Sequence, residues 1–186
     1  MNMVKNRKWV LLSVSLFSLA FLASCATSAY ADDPLKTVDE LELGRYLGGW
    51  YEIARYQHGF EKNLVGAKAE YSLRDDGRIQ VVNSGFKNTL DGRYTSVKAV
   101  AWRPDETVAG ALKVKFFNLF TSDYLVFGLD QENYQWALVG DNNRKYLWFL
   151  SRTPEVSPEL LEEMKMMATE QGYDLTKVFM VPQKER

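Results

Sequence analysis

The sequence predicts an all-β domain, a sandwich or a barrel, of eight strands followed by one C-terminal helix and a short final strand. Three observations carry this expectation. Apolar and polar residues alternate with period two in short runs, turn residues interrupt those runs about every 13 residues, and helical spacing of apolar residues occurs in one segment near the C-terminus. The first run, over 50–58, is aromatic and β-prone. The second, over 66–73, places Ala67, Ala69, Tyr71 and Leu73 on one face and Lys68, Glu70 and Ser72 on the other. Asp75-Asp76-Gly77 then turns the chain into a run over 78–83, which predicts a hairpin. Further runs lie at 94–102, 112–117, 124–129, 134–139 and 146–152, too closely spaced for helical crossovers.

The helix is announced by Ser157 as N-cap, Pro158 at the first position and Glu159 in the first turn, and Gly172 stops it. Leu160, Leu161, Met164, Met167 and Ala168 form one apolar stripe. The opposite face is acidic, so the stripe is expected to pack on the outside of the sheet rather than on anionic lipid. A last short strand is expected over 178–181.

Composition excludes several function classes. The chain has 186 residues, Lys+Arg 23 against Asp+Glu 24, one Cys and one His. A single cysteine allows no intrachain disulfide and no Cys-rich zinc cluster, and a single histidine, His58, removes two-histidine metal motifs. A formal charge of -1 gives no basic footprint for nucleic acid. No phosphate-cradling glycine loop, dinucleotide fingerprint or nucleophile elbow occurs, so no cofactor is expected.

The N-terminus is different in kind. Lys5, Arg7 and Lys8 precede an uncharged run, 9–22, shorter than the ~20 apolar residues of a permanent membrane span and suited to a signal peptide. The run ends in Leu22-Ala23-Ser24-Cys25, which resembles the bacterial lipobox. Residues 1–24 are therefore expected to be removed and Cys25 to carry the acyl chains, in preference to an incidental thiol or to cleavage after Ala29 or Ala31. Ala26 in place of Asp points to the outer membrane, with the domain facing the periplasm. Residues 25–37 read as the acylated N-terminus and tether, being small and polar with Asp32, Asp33 and Pro34. Residues 38–186 read as one domain.

Three segments in the domain carry a resemblance. Gly48-Gly49-Trp50-Tyr51, Ser122-Asp123-Tyr124 and Ser151-Arg152 resemble, in order, the three signatures of the lipocalins. With the lipobox ahead of them, the chain resembles the outer-membrane lipoproteins of that family, relatives of apolipoprotein D. The resemblance implies an eight-stranded antiparallel up-and-down β-barrel enclosing a calyx, one C-terminal flanking α-helix and a short final strand. It also implies lipid ligands: fatty acids, phospholipids or lysophospholipids, bound for storage, transport or membrane maintenance. Homodimers occur among similar bacterial proteins.

Local chemistry gives the signatures a reason. The floor of an eight-stranded barrel must be closed against water, and the Trp50 indole can fill it while Arg152 lays its guanidinium on the ring and donates to nearby carbonyls. Gly48, Trp50 and Arg152 are thus expected to be structural. Alternation from these anchors predicts the cavity wall: Glu52, Ala54 and Tyr56 from the first strand; Ala69 and Tyr71; Val97 and Ala99; Leu112, Val114 and Phe116; Tyr124; Trp136 and Leu138; Tyr146 and Trp148. Glu52 needs a partner that the sequence does not identify. The aromatic cluster 116–120 reads either as rim packing or as an exposed patch for dimerisation or lipid contact. Two alternatives stand beside lipid binding: a lipid hydrolase using His58 and Glu61, and a structural envelope lipoprotein with a filled barrel.

Overall fold

The computed structural model describes residues 33–59, 61–117 and 119–184. The expected signal peptide, Cys25 and most of the tether lie outside the described residues.

A one-turn helix, α1 (Leu43–Tyr46), leads into β1 (Gly48–Tyr56), β2 (Leu64–Leu73), β3 (Ile79–Lys87) and β4 (Tyr94–Trp102). The chain continues through β5 (Ala111–Phe116), β6 (Phe120–Leu129), β7 (Trp136–Gly140) and β8 (Leu147–Ser151). Strands β2 to β8 are neighbours in sequence order, β8 pairs with β1, and β1 pairs back onto β2, all antiparallel. This is a closed up-and-down barrel, so no edge is left among β1 to β8. Helix α2 (Pro158–Glu170), a 3-10 turn (Leu175–Lys177) and β9 (Val178–Met180) follow.

The strand β9 repairs a gap at the seam. β1 pairs with β2 over Gly48–Tyr51 and with β9 over Ala54–Tyr56, where β2 has diverged. The segment after β9 then stitches the two together: Gly66 N–H donates to the Pro182 carbonyl at 2.7 Å, and Gln183 Nε2 donates to the carbonyls of Glu52 at 2.8 Å and Ala67 at 3.1 Å.

The expected helix forms as its sequence dictates. Ser157 Oγ accepts from Leu160 N–H at 3.2 Å, and Met164 and Ala168 are fully buried against the barrel's outer face. At its end Gly172 takes φ +85°, Tyr173 N–H donates to Ala168 O and Gly172 N–H to Thr169 O, which is the Schellman arrangement. Three strands run longer than expected, β2 by starting at Leu64. β3 continues to Lys87 because the polar stretch Asn83-Ser84-Gly85, which carries no strand signal of its own, keeps its pairing with Val97, Ser96 and Thr95 of β4. β6 begins at Phe120, paired with Phe116.

The expected facing fails in two places, and each failure has a cause. The β1–β8 register shifts between Glu52 and Ala54, a bulge that leaves both Ile53 and Ala54 on the outer face beneath α2. Every later β1 residue therefore changes sides. Ala54 and Tyr56, expected on the cavity wall, pack outside, with Tyr56 donating to the Asp174 carbonyl at 2.9 Å; Arg55 turns inward instead. In β7 the register sets Ala137 opposite Leu150 and Val139 opposite Trp148, which face the interior, and Trp136 opposite Ser151 and Leu138 opposite Phe149. Facing residues share a side, so Trp136 and Leu138 belong to the outer cluster under α2 rather than to the wall.

Candidate functional site

The floor of the barrel is built around one indole. Trp50 is wholly buried, and its Nε1–H donates to the Tyr46 carbonyl at 2.8 Å. Arg152 lies over the indole with its guanidinium carbon 3.7 Å from the ring centroid. It also ties the floor to its surroundings, donating to the carbonyls of Gly49 at 2.9 Å, Arg45 at 2.7 Å and Tyr134 at 3.2 Å. Those acceptors come from α1, β1 and the β6–β7 turn, so a single side chain sews three segments across the closed end. Gly48 enters β1 at φ +90°, a backbone conformation that a side chain would strain. Arg45 repeats the motif at the surface, over the Tyr134 ring at 4.1 Å.

Above the floor sit three phenols. Tyr124 Oη is 2.7 Å from Tyr46 Oη and 2.9 Å from Tyr71 Oη. Burial raises all three above the ordinary phenol value, so the cluster is neutral and offers hydroxyls, not charge, to the space above.

That space is a cavity of about 660 Å³, within the ~300–1,000 Å³ range of small-molecule sites. Of the residues expected on its wall, Glu52, Ala69, Tyr71, Val97, Val114, Phe116, Tyr124, Tyr146 and Trp148 line it. Ala99 and Leu112 face inward but belong to the packed cluster that contains Trp50. Alternation missed Glu61, Leu64 and Asn83, which also line it. The rim carries an exposed apolar tip on the β5–β6 connection: Phe117 is 65% exposed, Leu119 75% and Phe120 71%, with Phe117 and Phe120 bordering the cavity. Of the two readings of that cluster, exposure is the one realised.

The partner that Glu52 requires is Arg55, which the β1 bulge turns inward. Its Nη1 donates to Glu52 Oε2 at 2.9 Å, and its Nη2 donates to the carbonyls of Glu61 at 3.0 Å and Leu64 at 2.8 Å. The Glu61 carboxylate stands 3.6 Å from Arg55 Nε and accepts from Trp148 Nε1 at 3.3 Å. All three charged groups are buried. Desolvation raises both carboxyls, Glu61 well above its ordinary range because the Glu52 charge adds to the effect, while Arg55 opposes it for both. His58 lies tilted against Tyr146 and Trp148, at ring-centroid distances of 4.5 and 5.3 Å. Burial and the nearby Arg55 push its imidazole down to about 4, so it is neutral at neutral pH. Glu61 meets His58 through its backbone N–H, which donates to the His58 carbonyl.

The second signature divides its work. Tyr124 completes the phenol cluster, Ser122 borders the cavity, and Asp123 pairs with Lys113 and accepts from Asn142 Nδ2.

Comparison with known proteins places this geometry. The lipocalin-like domain family matches residues 41–183. The chain is similar to outer membrane lipoprotein Blc of Escherichia coli K12, 41% identical over 170 residues covering 91% of this chain and 95% of that one. It is also similar to mouse apolipoprotein D, 32% identical over 181 residues covering 88% and 92%. Among solved structures, insecticyanin of the tobacco hornworm Manduca sexta superposes with a TM-score of 0.67 at 19% identity, over 82% of this chain and 86% of that one.

Because Arg152 joins a ring contact to several carbonyl bonds in one planar fork, lysine cannot replace it. Arg152→Lys is expected to cost about 2 kcal/mol, by the loss of charge-assisted bonds and the stack. Urea unfolding followed by tryptophan emission measures this, and an unshifted midpoint removes the sealing role assigned to the guanidinium.

Proposed function

The chain belongs to the lipocalin family, and from that premise we propose that it binds fatty acids, phospholipids or lysophospholipids in its barrel cavity while anchored at the outer membrane, for storage, transport or membrane maintenance. One observation carries the reading: the interior is a hollow with mostly apolar walls above a sealed floor. An alkyl chain of ~15 methylenes placed there gains on the order of 12 kcal/mol gross, which leaves micromolar binding after the loss of several kcal/mol of freedom. A structural lipoprotein with a packed barrel has no use for such a space. A hydrolase built on His58 and Glu61 would need Glu61 to orient the imidazole, and its carboxylate is engaged by Arg55 and Trp148 instead. The ligand-contacting residues proposed are those on the wall, Glu52, Ala69, Tyr71, Val97, Val114, Phe116, Tyr124, Tyr146 and Trp148.

The proposed anchor is acylated Cys25, followed by a tether to residue 37 and a domain beginning at residue 38. Two or three acyl chains, each contributing about 0.8 kcal/mol per buried CH₂, hold a protein at a bilayer almost permanently. The names of the bacterial relatives as outer membrane lipoproteins support this placement. A homodimer is part of the same proposal, joined through the exposed Phe117, Leu119 and Phe120 tips.

Three outcomes are expected. Titrating the exported, unacylated Cys25→Ser chain with lysophospholipid or fatty acid changes tryptophan emission saturably at micromolar ligand, with no product in the same mixture. Absence of saturation refutes lipid binding, and turnover establishes a hydrolase. In cells the Cys25→Ser chain is exported but fractionates as soluble; unchanged membrane retention refutes the anchor. Sedimentation of that chain shows a dimer that Phe120→Ser converts to monomer, whereas a monomer at all concentrations removes the dimer.

A further inference from the structure

The fully buried charge of the cavity is gathered in one region, and it does not balance there. Glu52 and Glu61 are two buried carboxyl groups, and the buried cation between them is Arg55 alone. Arg55 Nη1 is committed to Glu52 at 2.9 Å, its Nη2 donates to two carbonyls, and its Nε, 3.6 Å from the Glu61 carboxylate, makes no hydrogen bond among the described residues. Glu61 is thus the carboxyl left with the weaker share of the cation.

A second, independent feature on the wall has the same polarity. Asn83, on β3, borders the cavity, and its Oδ1 is buried with no hydrogen-bond partner among the described residues. A buried acceptor without a donor is uncommon and costs about 1–3 kcal/mol. Both features call for N–H or cationic groups brought from outside. The neighbouring surface suits a cation as well: Tyr146 and Trp148 border the cavity with their rings stacked 5.8 Å apart at an interplanar angle of 6°, next to Glu61 through the Trp148 indole.

We infer, resting on the lipid-binding reading above, that Glu61, with Glu52 behind it and Trp148 beside it, forms a subsite for an ammonium group, Asn83 offering a further acceptor on the cavity wall, so that the cavity prefers single-chain amphiphiles with an amine or quaternary-ammonium head over anionic ones of equal length. The ammonium supplies the positive charge that Arg55 divides between two carboxylates. A fatty-acid carboxylate brings a third negative group to the same place and is disfavoured.

In the empty cavity burial favours the proton-bound form of the second carboxyl. Burial, then the Glu52 charge, holds the Glu61 carboxyl well above its ordinary range. An ammonium binds the ionised carboxylate, so its affinity rises as pH rises through the range in which Glu61 loses its proton, and binding releases that proton. The other titratable or charged groups around the cavity are Glu52 and Arg55 on β1, His58 in the β1–β2 connection, Tyr71 on β2, Lys87 at the partly exposed end of β3, Asp123 and Tyr124 on β6, and Tyr146 before β8. His58 is neutral above about 4 and Tyr71 is held neutral by burial, so neither masks the loss of the Glu61 proton above that range.

The test is a comparison of heads on one tail. The exported Cys25→Ser chain is titrated at pH 7.5 with dodecyltrimethylammonium, dodecanol and dodecanoate below their micelle concentrations, following tryptophan emission, and the cation titration is repeated from pH 5 to 8. The cation is expected to bind at least tenfold more tightly than dodecanoate and to gain affinity with pH. Glu61→Gln is expected to weaken the cation about tenfold more than it weakens dodecanol and to flatten the cation's pH dependence. Dodecanoate binding as tightly as the cation to the unsubstituted Glu61 protein overturns the inference without recourse to any Glu61 variant. Equal weakening of all three ligands by Glu61→Gln also overturns it, since that marks a structural residue. If dodecanol saturates but the heads are not distinguished, the ammonium subsite falls and lipid binding stands; if none of the three saturates, both fall.

Discussion

A barrel keeps a hollow interior only if water cannot enter from below, and here that depends on the contact between the Trp50 indole and the Arg152 guanidinium. The indole supplies bulk at the narrow end of the barrel, and the guanidinium covers its outer face while saturating carbonyls that the strand ends leave without partners. Everything above is arranged relative to this plug. The phenols of Tyr46, Tyr71 and Tyr124 rest on it, with the Tyr46 ring 5.0 Å from that of Trp50, and the cavity begins where they end. Outside, α2 covers the opposite face of the same strands through Met164 and Ala168, so the wall of the hollow is backed by a packed layer. The two clusters share the sheet: one leaves space and the other leaves none.

Much of this was legible because it follows from local rules. Ser157-Pro158-Glu159 and Gly172 mark the ends of α2 by capping chemistry that needs no tertiary knowledge, and the Trp50 and Arg152 roles follow from ring size and donor geometry. Where β1 pairs regularly, alternation from Trp50 places Glu52 correctly on the wall. It fails one step later, because the extra residue at Ile53 is imposed by the pairing with β8 and by the departure of β2, neither of which is written in the first strand itself. Ala54, Tyr56 and Arg55 all change sides for that single reason. In β7 the alternation was sound and the phase was wrong: five residues without an anchor of their own take their facing from Phe149 and Leu150 across the ladder.

The same bulge explains why the polar part of the site escaped sequence reading. Glu52 looked like an isolated carboxylate because its partner stands three positions along the strand, where strict alternation assigns the opposite face. Glu61 lies in the β1–β2 connection and reaches the cavity only because Arg55 holds its carbonyl as well as its carboxylate. A strand glutamate, a bulge-displaced arginine and a loop glutamate form one unit, and no periodic pattern connects them. Its outer members, His58, Tyr146 and Trp148, come together from the β1–β2 connection and the approach to β8, so that aromatic surface surrounds the charges on the side facing the mouth.

Such a unit is a poor way to stabilise a barrel. Buried ion pairs gain little over well-packed apolar side chains once desolvation is counted, and a second carboxyl sharing one guanidinium makes the balance worse. The cavity acts in the same direction, since side chains that border empty space forgo the dispersion contacts a filled core would give them. Both departures from a stable interior fall in one place. The floor, the outer layer under α2 and the seam closed by β9 follow the ordinary rules of packing and hydrogen bonding, with Trp50, Phe149, Leu138 and Met164 among the largest fully buried side chains. The fold packs densely on the outer side of its sheet and leaves a hollow, with two carboxyls sharing one guanidinium, on the inner side. For the ligand proposed above, the second carboxyl would set the sign of the head and the apolar walls would take the tail.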